Sequence, residues 1–393
     1  VADKGLPLEW SAEKNIVWRT ELPGPGAASP IVFGEHVYVA SYSGYGLSKE
    51  SRGALKNLKR HLTCLDRTSG KVVWQADVPI GADKENAYDG FVALHGYASH
   101  TPAADETGVY AYFGTSGLAA YDHDGKPRWR KKLGEGTHGF GTASSPVLYG
   151  ETVIVHADIE AQSLVALDKK TGREKWRVST GSGDSWSTPL VLEAGGRTEL
   201  VYHHSQGDPT ATLAAVDPRD GTPLWRCQVL KDYLCPSPIT HEGVVYTLGY
   251  QRGAAVRAGG GGDVTSSHVE WTIRKGTEIC TPVYHDGHLY WAHQEDGIAY
   301  CVDARTGRIV YEQRLDPRPG RIYASGVLAE GRIYYVSRES GTYVVAAEPR
   351  FRLLAHNRIE NDESIFNATP AISRGQLLLR SDKFLYCLGE RSP

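Results

Sequence analysis

One stretch, Ser145 to Arg177, constrains the fold because the rest of the chain repeats it. It opens at Ser145-Pro146 and passes a Gly150-Glu151 turn into Thr152-Val153-Ile154-Val155-His156. Leu164-Val165-Ala166-Leu167-Asp168 follows, then Thr171-Gly172-Arg173 and Lys175-Trp176-Arg177. Each piece is short, rich in β-branched and aromatic residues, and bounded by Gly, Asp or Pro. That is the pattern of four antiparallel strands joined by tight turns, a unit of about 45 residues that forms one propeller blade.

Three marks recur in phase. The first strand opens at Ser29-Pro30, Thr101-Pro102, Ser145-Pro146, Thr188-Pro189, Ser237-Pro238, Thr281-Pro282 and Thr369-Pro370, with a degenerate Ser325-Gly326 where the spacing demands one. From Pro102 onward the steps are 44, 43, 49, 44, 44 and 44 residues. An apolar residue precedes Asp at Asp66, Asp122, Asp168, Asp217 and Asp303, and a fourth-strand Trp falls at Trp18, Trp74, Trp129, Trp176, Trp225 and Trp271. Tyr311 and Leu354 take the last two slots.

The expected fold is therefore all-β, an eight-bladed propeller of four-stranded antiparallel blades spanning residues 1–393 as one domain. The final repeat, Thr369 to Gly389, supplies only three strands, and Ile16-Val17-Trp18-Arg19 is an unpartnered fourth strand. Joining the two closes the ring and removes the sheet edges that invite aggregation.

Charge narrows the partners. Against 43 basic stand 46 acidic residues, so no basic field argues for nucleic acid, and no apolar run of about 18 residues argues for a transmembrane segment. Cys64, Cys301 and Cys387 share one third-strand slot and read as small buried fillers. Cys235 and Cys280, ahead of successive first strands, are the one candidate disulfide, against the usual mismatch of geometry. Without a Cys-x-x-Cys pair no zinc site is expected.

Two long loops fall on the face where strands four-to-one and two-to-three connect. The insert Tyr42 to Arg60 carries Lys49, Arg52, Lys56, Lys59 and Arg60 against Glu50. It reads either as a solvated loop or as a basic lip for an anionic partner. The connection Pro79 to His100 holds Tyr88, Phe91, His95 and Tyr97, and long loops in compact domains tend to be functional. Blade five departs from the repeat. Its third strand is expected at Ala254 to Ala258, followed by Gly259 to Asp263 as a flexible turn, with an anion or calcium loop as the alternative.

Residues just ahead of each first strand enter the channel mouth. They are His100, His138, Trp186, Tyr233, Glu278, Tyr323 and Asn367, with Asp184 and Glu363 nearby. This ring suits a polar ligand, though propeller channels are polar in general and such groups also hold water. No catalytic or metal-binding residue is assigned.

The fourth-strand Trp, the Asp168, Thr171, Gly172, Trp176 spacing and the eight copies resemble the pyrroloquinoline quinone (PQQ)-like repeat family across essentially the full chain. The resemblance implies one of two functions. Quinoprotein dehydrogenases hold PQQ and calcium in the channel and oxidise alcohols or sugars, the alcohol-oxidising type with an adjacent Cys-Cys pair that this sequence lacks. The compact branch, similar to BamB-type outer-membrane assembly proteins, consists of non-enzymatic scaffolds outside the cytoplasm. The expectation is an exported, periplasmic monomer, its signal peptide removed ahead of Val1, that binds a protein partner or small polar ligand on the long-loop face without a cofactor. The alternative is a PQQ- and calcium-dependent dehydrogenase.

Overall fold

In blade three the strands Val147–Tyr149, Thr152–Ala157, Ser163–Asp168 and Glu174–Ser179 pair antiparallel in sequence order. The computed structural model describes residues 4–80, 85–181, 185–204, 210–231 and 234–390, and of 210–212 and 231 the backbone alone. Eight such sheets make the eight blades, and helix is confined to a few single turns. The sequence patterns explain each blade locally. The Asp168 carboxylate accepts the Thr171 N–H and hydroxyl, both at 2.9 Å, and the Gly172 N–H donates to the Asp168 carbonyl at 2.8 Å. In every blade the pairing of third and fourth strands slips by one residue beside the Trp position, as between Ala166 and Leu167. Such bulges sharpen the right-handed twist that a blade needs.

The blades are joined at two radii. At the inner radius, the N–H of the Ser or Thr that opens each first strand donates to the hydroxyl of its counterpart one blade on. Seven links run Ser29, Thr101, Ser145, Thr188, Ser237, Thr281, Ser325, Thr369 at 2.9–3.1 Å. At the outer radius, five of the six fourth-strand indoles lie on the turn of the next blade. Trp129 donates to the Lys169 carbonyl at 2.9 Å, and its ring covers Gly172, where an added Cβ would sit 2.6 Å from the indole. Gly172 also has φ +68°, so two independent constraints select glycine there. Trp18 on Gly70, Trp74 on Gly125, Trp176 on Gly221 and Trp271 on Gly307 repeat the clasp.

The ring closes as the sequence implies. Ile16–Glu21 pairs antiparallel with Phe384–Leu388, Trp18 opposite Cys387. The sequence reading did not anticipate what precedes that strand. Residues 5–12 strap the outside of blade seven through hydrogen bonds of the Gly5, Leu6, Trp10 and Ala12 N–H groups to Glu330, Asn357 and Glu360. Trp10 thereby fills the core between blades seven and eight against Tyr334, where Leu354 stands in place of a fourth-strand Trp.

Blade five differs from expectation in detail. Its third strand is Arg252–Arg257, and the glycine run is no flexible turn, because Gly262–Asp263 pairs in parallel with Trp225 and Arg226 of blade four. Lacking a blade-five turn to clasp, Trp225 donates to Glu199 Oε2 at 2.7 Å within its own blade. Asp263 is engaged by Arg226 and the Thr265 N–H. All six cysteines are free. The Cys280 thiol points to the Ile322 and Ala324 carbonyls, whereas Cys235 faces the channel, so the two do not bridge.

Deleting residues 1–21 removes both the strap and the closing strand. Differential scanning fluorimetry should then show a clearly lower Tm, and light scattering should show association through the bared Phe384–Leu388 edge. A truncated monomer melting with the full chain would contradict this closure.

Candidate functional site

The channel holds a cavity of about 400 Å³ lined by the residues that open the first strands. Its floor is the hydroxyl collar, with Ser29, Thr101, Thr188, Ser237, Thr281, Ser325 and Thr369 facing in. Each of these oxygens accepts a neighbour's N–H, except Ser29, for which no such link is described. The upper wall is apolar and aromatic, built from Phe91, Leu94, Phe140, Trp186, Ile279 and Tyr323.

A cap brings Phe91 and Leu94 there, and adds His95 and Ser99 to the lining. The connection between blades one and two carries a single helical turn, Val92–His95, flanked by Gly90 and Gly96 at φ +48° and +71°. The Leu94 carbonyl reaches the far side of the ring. It accepts from Arg338 Nη1 and from Asn367 Nδ2, each at 2.8 Å. The Arg338 guanidinium also donates to Asn367 Oδ1 and lies 4.7 Å over the Tyr323 ring. On the near side, His95 Nε2 sits 2.9 Å from the Phe140 carbonyl and Nδ1 2.6 Å from the Ser99 hydroxyl. A carbonyl only accepts, so Nε2 carries the proton and Nδ1 takes the Ser99 O–H. Burial holds the His95 pKa below its ordinary value, which keeps this neutral form.

Of the nine residues singled out in the sequence, Trp186, Glu278, Tyr323 and Asn367 line this cavity together. His138 sits one layer behind, its ring 5.0 Å from Trp186 and its N–H on Asn86 Oδ1 at 2.8 Å. His100 is buried and outside the lining, edge-on to Tyr112 at 4.8 Å, with neither ring nitrogen hydrogen-bonded. Glu363 is exposed and outside the lining. Asp184 and Tyr233 lie outside the described residues. The sequence reading missed Leu94, Phe140, Ile279 and the Arg338 latch. The length and aromatic content of Pro79 to His100 were the signal for the cap, but nothing local marks Arg338.

Around the mouth, burial dominates the electrostatics. His100 is pushed down to about 3, by burial first and then by the Arg60 charge. Burial pushes Glu160 up to about 7, and its Oε1 has no partner. Deeper in blade four, His203 bridges Ser187 Oγ at 2.9 Å and Thr247 Oγ1 at 2.7 Å and is likewise pushed down to about 3. Ser187, His203 and Thr247 are fully buried, so this Ser–His pair ties blades four and five and meets no substrate. The Cys235 thiol is pushed up to about 12 by burial, which leaves it protonated and a poor nucleophile.

The described lining does not fit a tricarboxylated quinone held with a divalent cation. Among the described residues it offers Glu278 as its one formal charge and no Lys or Arg for the carboxylates. Glu278 Oε2 accepts from Gln294 at 3.2 Å, and the Asn367 oxygen is turned to the Arg338 guanidinium, which would repel a cation. Among the described residues no three His, Cys, Asp or Glu side chains are grouped to hold a metal, and no helix is long and apolar enough to cross a membrane.

A family model described as outer membrane protein assembly factor BamB matches residues 58–313. Tetrathionate hydrolase of Acidithiobacillus ferrooxidans is 23% identical over 273 residues, 59% of this chain and 51% of that protein. The chain thus spans about half the length, or less, of the curated relatives it matches. Among solved structures, BamB from Moraxella catarrhalis aligns with a TM-score of 0.66 at 16% identity, over 96% of this chain and 98% of that one. A europium-containing methanol dehydrogenase aligns at 0.67 and 14% identity, over 97% and 86%. At these identities the structural likeness speaks to the fold.

The buried groups set a pH dependence. Between about pH 3 and 6.5 the unfolded chain binds protons at His100 and His203 that the folded chain refuses. Stability therefore rises with pH there, by about 1.4 kcal/mol per pH unit for each proton of difference. Glu160 acts oppositely. Its folded form keeps a proton up to about 7, so its contribution is full below the unfolded carboxyl pKa and is lost as pH rises through 7. Urea unfolding from pH 4 to 8 should show greatest stability between about pH 6 and 7. His203→Gln should flatten the acid limb and Glu160→Gln the alkaline one. Unchanged limbs in both variants would refute the assignment.

Proposed function

The chain belongs to the family of the outer membrane protein assembly factor BamB, and from that premise we propose that it is a periplasmic binding propeller. Its channel mouth takes an apolar group of a protein partner, and it carries no resident cofactor. The observation that carries this reading is the capped cavity. It is preformed, aromatic at its mouth, and lined by hydroxyls already committed to the ring. Cavities of this size suit one small ligand or a few inserted side chains. The described lining does bring the Ser99 hydroxyl to His95 Nδ1 at 2.6 Å, but His95 Nε2 is held by the Phe140 carbonyl, and we read the pair as a fastening of the cap. Phe91, 53% exposed at the rim and 4.6 Å from Phe140, is placed to be an anchor.

The test uses an uncharged aromatic probe, N-phenyl-1-naphthylamine, and the quinone itself. The naphthylamine should gain fluorescence on saturable binding to the full chain. Phe91→Ala should weaken it about tenfold with the Tm unchanged, because that ring is half in solvent. Titration calorimetry with PQQ and calcium should give no saturable heat. Micromolar binding of PQQ accompanied by dye reduction with an alcohol or aldose would overturn the scaffold reading in favour of a quinoprotein dehydrogenase.

A further inference from the structure

The insert between the second and third strands of blade one has a charge and shape that the mouth alone does not explain. It leaves the strand His36–Ser43, makes one tight helical turn at Leu55–Asn57, and returns as Lys59–Asp66. Five of its residues are basic and one acidic, against a net charge of −3 for the whole chain. The structure sorts these cations into two kinds. Arg60 is buried and ion-paired with Glu85, and it also donates to the Tyr97 carbonyl and the Ser116 hydroxyl. It belongs to the core, so it drops out of the lip. Lys59 sits 4.0 Å from Asp77. Lys49, Arg52 and Lys56 are exposed, and among the described residues none of them is ion-paired.

The loop that carries them is held firmly. The Gly46 N–H donates to the Arg52 carbonyl at 2.7 Å, the Gly46 carbonyl accepts from Tyr42 at 2.8 Å, and Gly44 lies against Asn57. Its inner side packs on the cap. Gly46 abuts the Tyr88 and Tyr97 rings, and Tyr45 lies 5.7 Å from Tyr97. The Arg52 charge is felt at the Tyr88 hydroxyl, three residues from Phe91. The cations and the rim of the cavity are therefore joined through a layer of tyrosines, Tyr45 half-buried and Tyr88 and Tyr97 buried. The surface here exposes two large apolar side chains, Leu47 at 52% and Phe91 at 53%.

We infer that this surface docks an acidic segment of a protein partner, whose carboxylates meet Lys49, Arg52 and Lys56 while an apolar side chain seats beside Leu47 and Phe91. The inference rests on the channel-mouth reading and adds the partner's chemistry. Charge complementarity selects the sign, and the unpaired state of three cations on a rigid loop means that little ordering is needed to use them. An anionic bilayer fits less well, because a flat sheet of charge would meet exposed Glu50 and Asp89 together with the cations, whereas a narrow peptide can set its carboxylates on the cations alone. Nucleic acid fits less well still, since binding proteins commonly neutralise about six to ten phosphates and three cations are on offer.

The experiment is fluorescence anisotropy on the full chain with a fluorescein-labelled peptide, Glu-Asp-Phe-Glu-Asp-Leu-Glu. Two further peptides replace its acids with Lys, or its Phe and Leu with Ser. Phosphatidylglycerol-containing vesicles are assayed in parallel by co-sedimentation. The acidic apolar peptide should bind saturably and weaken with salt. K49E/K56E should weaken it at least about tenfold at an unchanged Tm, and Phe91→Ala should weaken it independently. Equal binding of the Lys peptide, or indifference to K49E/K56E, would overturn the inference, as would vesicle binding lost in K49E/K56E without peptide binding. Naphthylamine binding at the mouth separates the two levels. If it persists while the peptide fails, the partner chemistry falls alone; if it fails too, the mouth reading falls with it.

Discussion

The hydrogen bond from one blade's first-strand N–H to the next blade's Ser or Thr hydroxyl is the constraint on which the rest of the molecule depends. An innermost strand has no neighbour within its own sheet on the channel side, so its N–H groups face either water or another blade. Proline removes one of those donors at the following position, and the Ser or Thr hydroxyl satisfies the other. Seven such links at 2.9–3.1 Å fix neighbouring blades in register about the axis. Each link requires an equivalent residue one repeat on, which is why the Ser/Thr position keeps its spacing even at the degenerate Ser325. The same bonds set the bore. The channel is a preformed cavity because its floor is part of the ring that holds the blades together.

The outer clasp is looser in its demands and shows more variation. An indole over a glycine with positive φ needs both partners, so the loss of one obliges the structure to find another device. Blade five lacks the Asp-x-x-Thr-Gly turn, and the consequence appears one blade earlier. Trp225 turns to Glu199, and Gly262–Asp263 adds a strand to the edge left open. Between blades six and seven Tyr311 meets Phe351 edge-on. Between seven and eight Trp10 arrives from the N-terminal strap. Apolar burial is non-directional, so an aromatic from any part of the chain can serve at the outer radius. At the inner radius, where a hydroxyl must meet an N–H, there is no such latitude.

This difference explains what the sequence made legible. Blade number, strand order and ring closure were readable because local turn chemistry and a fixed period impose them, and Trp18 opposite Cys387 is where the period alone places it. Four of the channel-mouth residues were readable for the same reason, since Trp186, Tyr323 and Asn367 stand two residues, and Glu278 three, ahead of the Ser or Thr that opens a first strand. His100, directly ahead of Thr101, lies buried edge-on to Tyr112 of its own blade, and position along the chain does not reveal that packing. Arg338 was invisible for a related reason. Its partner, the Leu94 carbonyl, is 244 residues away, and a backbone acceptor leaves no trace in the side-chain pattern. Arg60, read with the surface cations of its loop, was misassigned because burial is a tertiary property; only the proximity of Glu85 removes it from the lip.

The cap links these levels. A propeller channel is open at both ends unless something spans it, and an axial water column would dilute any apolar contact made there. The turn Val92–His95 spans it by docking one carbonyl on two donors from blades seven and eight, while neutral His95 holds the other side. The latch engages Arg338 together with Asn367, an amide of the cavity lining. With them committed, the described lining keeps Glu278 as its formal charge, and its upper wall is aromatic. Two polar side chains that could otherwise turn to a charged ligand are thus engaged in closing the channel. That expenditure favours a site that recognises apolar surface at its rim, with charge supplied from outside by the insert beside it. On the proposed reading, specificity would come from the loops of one face, and the ring beneath them would provide the frame that holds Phe91, Leu47 and the exposed Lys49, Arg52 and Lys56 in place.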